Sequence, residues 1–166
     1  MIYQLIKKLD HRWSFDHVQA HCDIPCGIYD PISAQLAALT VVRTVDLLND
    51  NTEQESGLPT DYAQYARLVA EKEAHGIKVK DEVRIIWGDY FKPKHFEDMP
   101  ELERLCHDIM RAASRAKQHV SRDAAIDMLD LVNQFAEAFW KTKGVETFVA
   151  KCPYAPNEDV VYPQLS

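Results

Sequence analysis

The sequence predicts an all-α protein, an up-and-down four-helix bundle, and three observations carry that expectation. Apolar residues recur at helical spacing: Leu102, Leu105, Ile109, Ala112 and Ala116 step by threes and fours, as do Ala125, Leu129, Val132, Ala136 and Phe139. Capping and breaking residues punctuate the chain at distances that suit helices joined by short to moderate connections. Alternating strand patterns are absent. A chain of 166 residues suits one domain with a sizeable core and hardly two.

Asp30-Pro31 opens the first helix, with Asp as N-cap and Pro at the first helical position, where its missing N–H costs nothing. That helix should run over about 31–48. Polar residues from Asn49 to Thr60, with Gly57 and Pro59, form a loop. A second helix extends from about Asp61 toward Trp87, with Gly76 as a point of disturbance, and Pro93 closes the region. Pro100 opens a third helix reaching about His119, and Ser121 caps a fourth. The bundle thus occupies about 31–145. The segment 151–166 carries Pro153, Pro156 and Pro163 and reads as an extended, non-helical tail.

Composition narrows the function. No apolar run approaches the ~20 residues needed to cross a bilayer, so a soluble, cytoplasmic protein with no membrane partner is expected. A net charge of −7 argues against nucleic acid, because phosphate binding needs a basic face. Any steering of an anionic substrate falls to local lysines and arginines. Four cysteines occur, at 22, 26, 106 and 152, fewer than a disulfide framework would show. Cys106 sits in a helical pattern and reads as a small buried hydrophobe, whereas Cys152 stands alone in the tail.

Residues 1–20 do not read as an export signal. Lys7, Lys8, Asp10, His11 and Arg12 interrupt the apolar stretch of ~7–15 residues that such a signal needs. Ile2, Leu5, Ile6 and Leu9 would form one face of a short amphipathic helix. From these residues alone, an N-terminal helix of the domain and a separable leader both stand.

His21-Cys22-Asp23-Ile24-Pro25-Cys26 is where chemistry concentrates. On its own, C-x-x-x-C beside a histidine fits a reactive cysteine pair, a zinc site or a more specific metal centre. The last follows if His21 is a free N-terminus. Its amine and the Cys22 amide nitrogen close one five-membered chelate ring, and that amide with the Cys22 thiolate closes a second. The Cys26 thiolate folds back to complete a square, helped by Pro25 and Gly27. Square-planar nitrogen and sulfur favour nickel(II) or copper(II) over tetrahedral zinc. The His21 imidazole is placed to supply an axial donor, which would make a one-electron shuttle.

HCDIPCGIYDP at 21–31 resembles the N-terminal nickel hook of the nickel superoxide dismutases, whose pattern H-C-x-x-P-C-G-x-Y is matched at every fixed position. WGDYFKPKHFEDMPEL at 87–102 resembles that family's W-x-D-Y-F-K-P-x-H-F-E stretch, and FWKTK at 139–143 its last helix. The likeness spans about 21–143.

The resemblance implies a superoxide dismutase that disproportionates superoxide to dioxygen and hydrogen peroxide by nickel(II)/nickel(III) cycling at an N-terminal metal-binding hook. It implies a nickel ion held by the amine and imidazole of His21, the amide nitrogen and thiolate of Cys22, and the thiolate of Cys26. Tyr29 and Tyr90 would flank the open face of the metal, Asp23 would support the hook, and Ile24-Pro25 would be a cis bond. Lys92 or Lys94 would lend positive charge to the approach. The resemblance further implies a homohexamer and a processing protease cutting between Ala20 and His21. That cut would leave a domain of 21–166 with its hook at 21–31. Some family members orient the axial imidazole with a glutamate and an arginine; Ala37 and His75 stand at those places here. The alternative is a non-catalytic nickel or copper carrier of four-helix-bundle fold, which would need no tyrosines over an open face.

Overall fold

The computed structural model describes residues 27–53 and 56–165. Among them are five α-helices: α1 (Ile32–Asp50), α2 (Tyr62–Ile85), α3 (Pro93–Asp98), α4 (Leu102–Gln118) and α5 (Arg122–Thr142). A π-helical turn, Ile86–Tyr90, follows α2, and a two-stranded antiparallel hairpin, β1 (Thr147–Lys151) and β2 (Asp159–Pro163), follows α5. The four long helices form the expected bundle. α1 packs on α2, α2 on α4, α4 on α5, and α5 returns to α1. No helix among the described residues is long and apolar enough to cross a membrane.

The helix starts follow from their capping side chains. Asp30 Oδ1 accepts the Ile32 N–H at 2.8 Å, Asp61 Oδ1 that of Gln64 at 3.0 Å, and Ser121 Oγ that of Ala124 at 3.2 Å. Each satisfies an amide that the first helical turn leaves unpaired, typically worth ~1 kcal/mol. The apolar stripes turn inward. Leu102, Ile109, Ala112 and Ala116 of α4 face Ala125, Leu129, Val132, Ala136 and Phe139 of α5 in a buried core, with Leu105 at its margin.

Gly76 does not disturb α2. It lies within the helix, and a Cβ there would collide with Lys117 Cγ, so glycine is what lets α2 and α4 approach. Beside it the buried Lys72 ammonium donates to the carbonyls of Ala116 (3.0 Å) and Lys117, which the end of α4 leaves open.

Two local expectations are corrected. Pro93 does not close a helix; it begins α3, because its fixed φ and missing N–H suit a first turn. The segment after α5 is not strand-free. Thr147 to Lys151 pairs in register with Pro163 to Asp159, and Phe148 lies across from Tyr162 with ring centroids 5.8 Å apart. Val160 and Val161 of β2 are both buried, Val160 within the bundle core. Polar side chains pin the strand. Gln35 Nε2 donates to the Val161 carbonyl (2.8 Å) and Asn133 Nδ2 to that of Asp159 (2.9 Å), while Asn133 Oδ1 accepts the Val161 N–H (3.2 Å).

Candidate functional site

His21, Cys22, Asp23 and Cys26, the Ile24-Pro25 bond and the Ala20–His21 junction lie outside the described residues. The described chain begins on their C-terminal side at Gly27, whose φ of +70° is left-handed and strained for any other residue. Among the described residues nothing lies within 4 Å of the position of its absent Cβ, so the backbone turn is what calls for glycine here. Ile28 is exposed, and the chain then turns inward at Tyr29, which packs against the core.

Tyr29 meets Tyr90, with ring centroids 5.5 Å apart and planes tilted by 48°. Tyr90 is placed by the π turn. The Phe91 N–H reaches the Ile86 carbonyl at 3.1 Å, one residue further back than an α-helical bond. The chain then leaves the helix at Phe91, so two adjacent aromatics both reach the bundle end. Phe91 is buried with its ring 5.7 Å from Phe135, and Tyr90 is half-buried with its ring 4.8 Å from Phe139. The His95 ring of α3 stacks on the far reach of Tyr90 at 5.7 Å.

The end of α5 completes the cluster. The Tyr90 hydroxyl lies 2.7 Å from Thr142 Oγ1, and Lys143 Nζ sits 4.6 Å from the Tyr90 ring centroid. Nothing in the sequence marks either residue as a neighbour of Tyr90, although FWKTK contains both. Pairings with Tyr90 across more than 50 positions need the tertiary fold to be visible. The expected lysines have local partners instead. Lys92 Nζ donates to the Asp89 carbonyl at 2.8 Å, and Lys94 Nζ pairs with Asp98 at 3.0 Å. Lys143, by contrast, lies over the ring of the candidate tyrosine Tyr90. Thr142 also lines a cleft of about 330 Å³ with Lys94, His95, Asp98, Met99 and Lys141.

Ala37 is buried, and His75 Nδ1 lies 3.0 Å from the Glu71 carbonyl of its own helix. Among the described residues, no group of three or more His, Cys, Asp or Glu could hold a metal. The chemistry of the segment 21–26 does fit one: two thiols and an imidazole within six residues are donors that nickel takes readily. Cys106 and Cys152 are of another kind, both buried and unpaired, and burial pushes the Cys106 thiol from 9.0 up to about 12.

Comparison with known proteins gives the family and the fold. The profile of a family described as nickel-containing superoxide dismutase matches residues 16–143. The chain is 36% identical over 126 residues to a superoxide dismutase [Ni] of Streptomyces coelicolor, covering 76% of this chain and 90% of that protein. Its identity to a superoxide dismutase [Ni] of Streptomyces seoulensis is 34% over 126 residues, with the same shares covered. A native structure of nickel superoxide dismutase superposes with a TM-score of 0.67 at 36% identity, covering 74% of this chain and 99% of that one. A second structure, with nickel ligation corresponding to the oxidised state, gives a TM-score of 0.67 at 34% identity, covering 75% and 99%.

Proposed function

Because the chain belongs to the nickel-containing superoxide dismutase family, we propose that His21, Cys22 and Cys26 hold its nickel and that Tyr29 and Tyr90 guard the approach. The protein is an oxidoreductase that disproportionates superoxide to dioxygen and hydrogen peroxide, with nickel as its cofactor. When bound, nickel supplies reversible one-electron exchange between its divalent and trivalent states. The observation that supports the placement of the site is the Tyr29–Tyr90 ring pair, because Tyr29 follows the donor segment closely in sequence and meets Tyr90 in space.

The chain's own residues set the conditions for that exchange. His21 can offer an amine only when its nitrogen is no longer part of a planar amide, so a processing protease is expected to cut between Ala20 and His21. The Cys22 and Cys26 thiolates supply soft, electron-rich donors, and Asp23 supports the hook between them. The tilted rings of Tyr29 and Tyr90 narrow access and exclude larger molecules. The Lys143 ammonium beside Tyr90 favours an anionic substrate over neutral competitors.

A homohexamer and a cytoplasmic location belong to the same reading, supported by the hook and WGDYFKPKHFE motifs and by the charged residues that interrupt the apolar positions of 1–20. A nickel or copper carrier is disfavoured, since storage needs no aromatic gate with a cation beside it.

Cys22→Ser and Cys26→Ser test the ligand set. Each variant should lose nickel and superoxide consumption while circular dichroism stays near wild type, because both residues precede the bundle. Full nickel occupancy in either variant would remove that thiolate from the site.

A further inference from the structure

Tyr90 Oη lies 2.7 Å from Thr142 Oγ1, and Thr142 Oγ1 lies 2.6 Å from the carbonyl oxygen of Phe139, one turn back in α5. A carbonyl oxygen only accepts, so the single hydroxyl hydrogen of Thr142 is donated to Phe139. Thr142 therefore meets Tyr90 with a lone pair, and the Tyr90 hydroxyl must be the donor. A phenol carries one hydrogen. With that hydrogen committed to Thr142, Tyr90 keeps only lone pairs for whatever approaches its oxygen.

We infer that Thr142 is a positioning residue for the dismutase reaction, one that fixes Tyr90 as a hydrogen-bond acceptor toward the substrate side. The inference rests on the reading of Tyr90 as a gate. Tyr90 then orders groups that bring their own hydrogen, namely water or the neutral peroxide product. It gives no hydrogen bond to the superoxide anion, whose attraction to the site falls to charge, such as that of Lys143 over the same ring. The arrangement is held from several sides. The Tyr90 ring is packed between Tyr29, Phe139 and His95, and the back-bond to Phe139 fixes the Thr142 side chain.

The test uses the chain beginning at His21, loaded with nickel, in wild-type, Thr142→Val, Thr142→Ser and Tyr90→Phe forms. Valine keeps the shape of threonine and removes both the acceptor and the donor; serine restores them. Azide serves as the probe anion. In Thr142→Val the released Tyr90 hydrogen is free to bond the anion, so azide should inhibit about tenfold more tightly, the scale of one hydrogen bond to a charged group. Nickel content and helix content should stay at wild-type levels, and Thr142→Ser should return inhibition to the wild-type value.

A second readout needs neither metal nor turnover. In metal-free protein labelled at the tyrosine ¹³Cζ, the Tyr90 resonance is the one lost in Tyr90→Phe. It should move in Thr142→Val and return in Thr142→Ser. Azide inhibition and a Tyr90 resonance both unchanged in Thr142→Val would overturn the positioning role, while an altered azide response in Tyr90→Phe would leave the gate reading standing. A wild-type azide response and wild-type turnover in Tyr90→Phe would overturn the gate reading, and this inference with it.

Discussion

At the end of the bundle where α1 begins and α5 finishes, rings meet: Tyr29, Tyr90, Phe91, His95 and Phe139 lie within 6 Å of a neighbouring ring centroid. At the opposite end, charges and amides meet. Arg122 Nε donates to Asp46 at 2.9 Å and its guanidinium also bonds Glu158, joining α5, α1 and the hairpin turn. Asn51 binds the other connection, accepting from Thr60 Oγ1 at 2.6 Å and from the Asp61 N–H at 2.9 Å. The far end ties its polar groups to one another across the connections. The aromatic end is held by dispersion and ring electrostatics, which fix geometry without consuming every lone pair. A reactive centre needs the second kind of support.

That contrast predicts unequal costs. Phe139→Ala should have the largest effect, destabilising by roughly 3–5 kcal/mol through the buried volume lost beneath Tyr90. Urea denaturation should show a lower midpoint at an unchanged slope, and the folded fraction should also lose activity. A loss below about 1 kcal/mol would mean that Tyr90 is supported from elsewhere.

Cys106 gives a pH test of the core between the two ends. Its thiol is raised in the folded state from 9.0 to about 12 by burial, so the folded chain holds that proton more tightly than the unfolded chain does. The resulting advantage is complete below about pH 9 and is lost as pH rises toward about 12. Replacing Cys106 with alanine should flatten the fall of unfolding free energy across that window. An unaltered slope would show that other groups dominate it.

Arg122→Ala should have the smallest effect. The side chain is half exposed, so its two pairs are screened and should cost only about 1 kcal/mol together, with superoxide consumption unchanged. A clear loss of turnover would break the separation between a supporting end and a reactive one.

How much the sequence revealed differs along the same axis. Asp30-Pro31, Asp61 and Ser121 announce helix starts because capping is a local interaction between residues two or three apart. The stripes of α4 and α5 are legible for the same reason. The π turn at Ile86–Tyr90 leaves no periodic signature, being one residue of slack in a helix. Pro93 reads equally well as a stop or a start, and only the turn before it decides. The hairpin escaped because β1 leaves Phe148 and Val149 exposed, which blurs alternation, and because Pro153 and Pro156 between the strands suggest an open tail. Asn157, at φ 58°, helps reverse the chain there. At the candidate site, motifs point to Tyr29 and Tyr90, whereas the placing of Thr142 and Lys143 beside Tyr90 depends on where α5 ends in space.

In the proposed site, nickel binding depends on the His21 amine becoming a metal donor. Its most direct test compares nickel content and superoxide consumption in two mass-verified proteins, one beginning at Met1 and one beginning at His21. The protein beginning at His21 should bind nickel stoichiometrically and consume superoxide, and the chain beginning at Met1 should do neither until it is cut. Equal activity from an intact chain beginning at Met1 would contradict the proposed donor set.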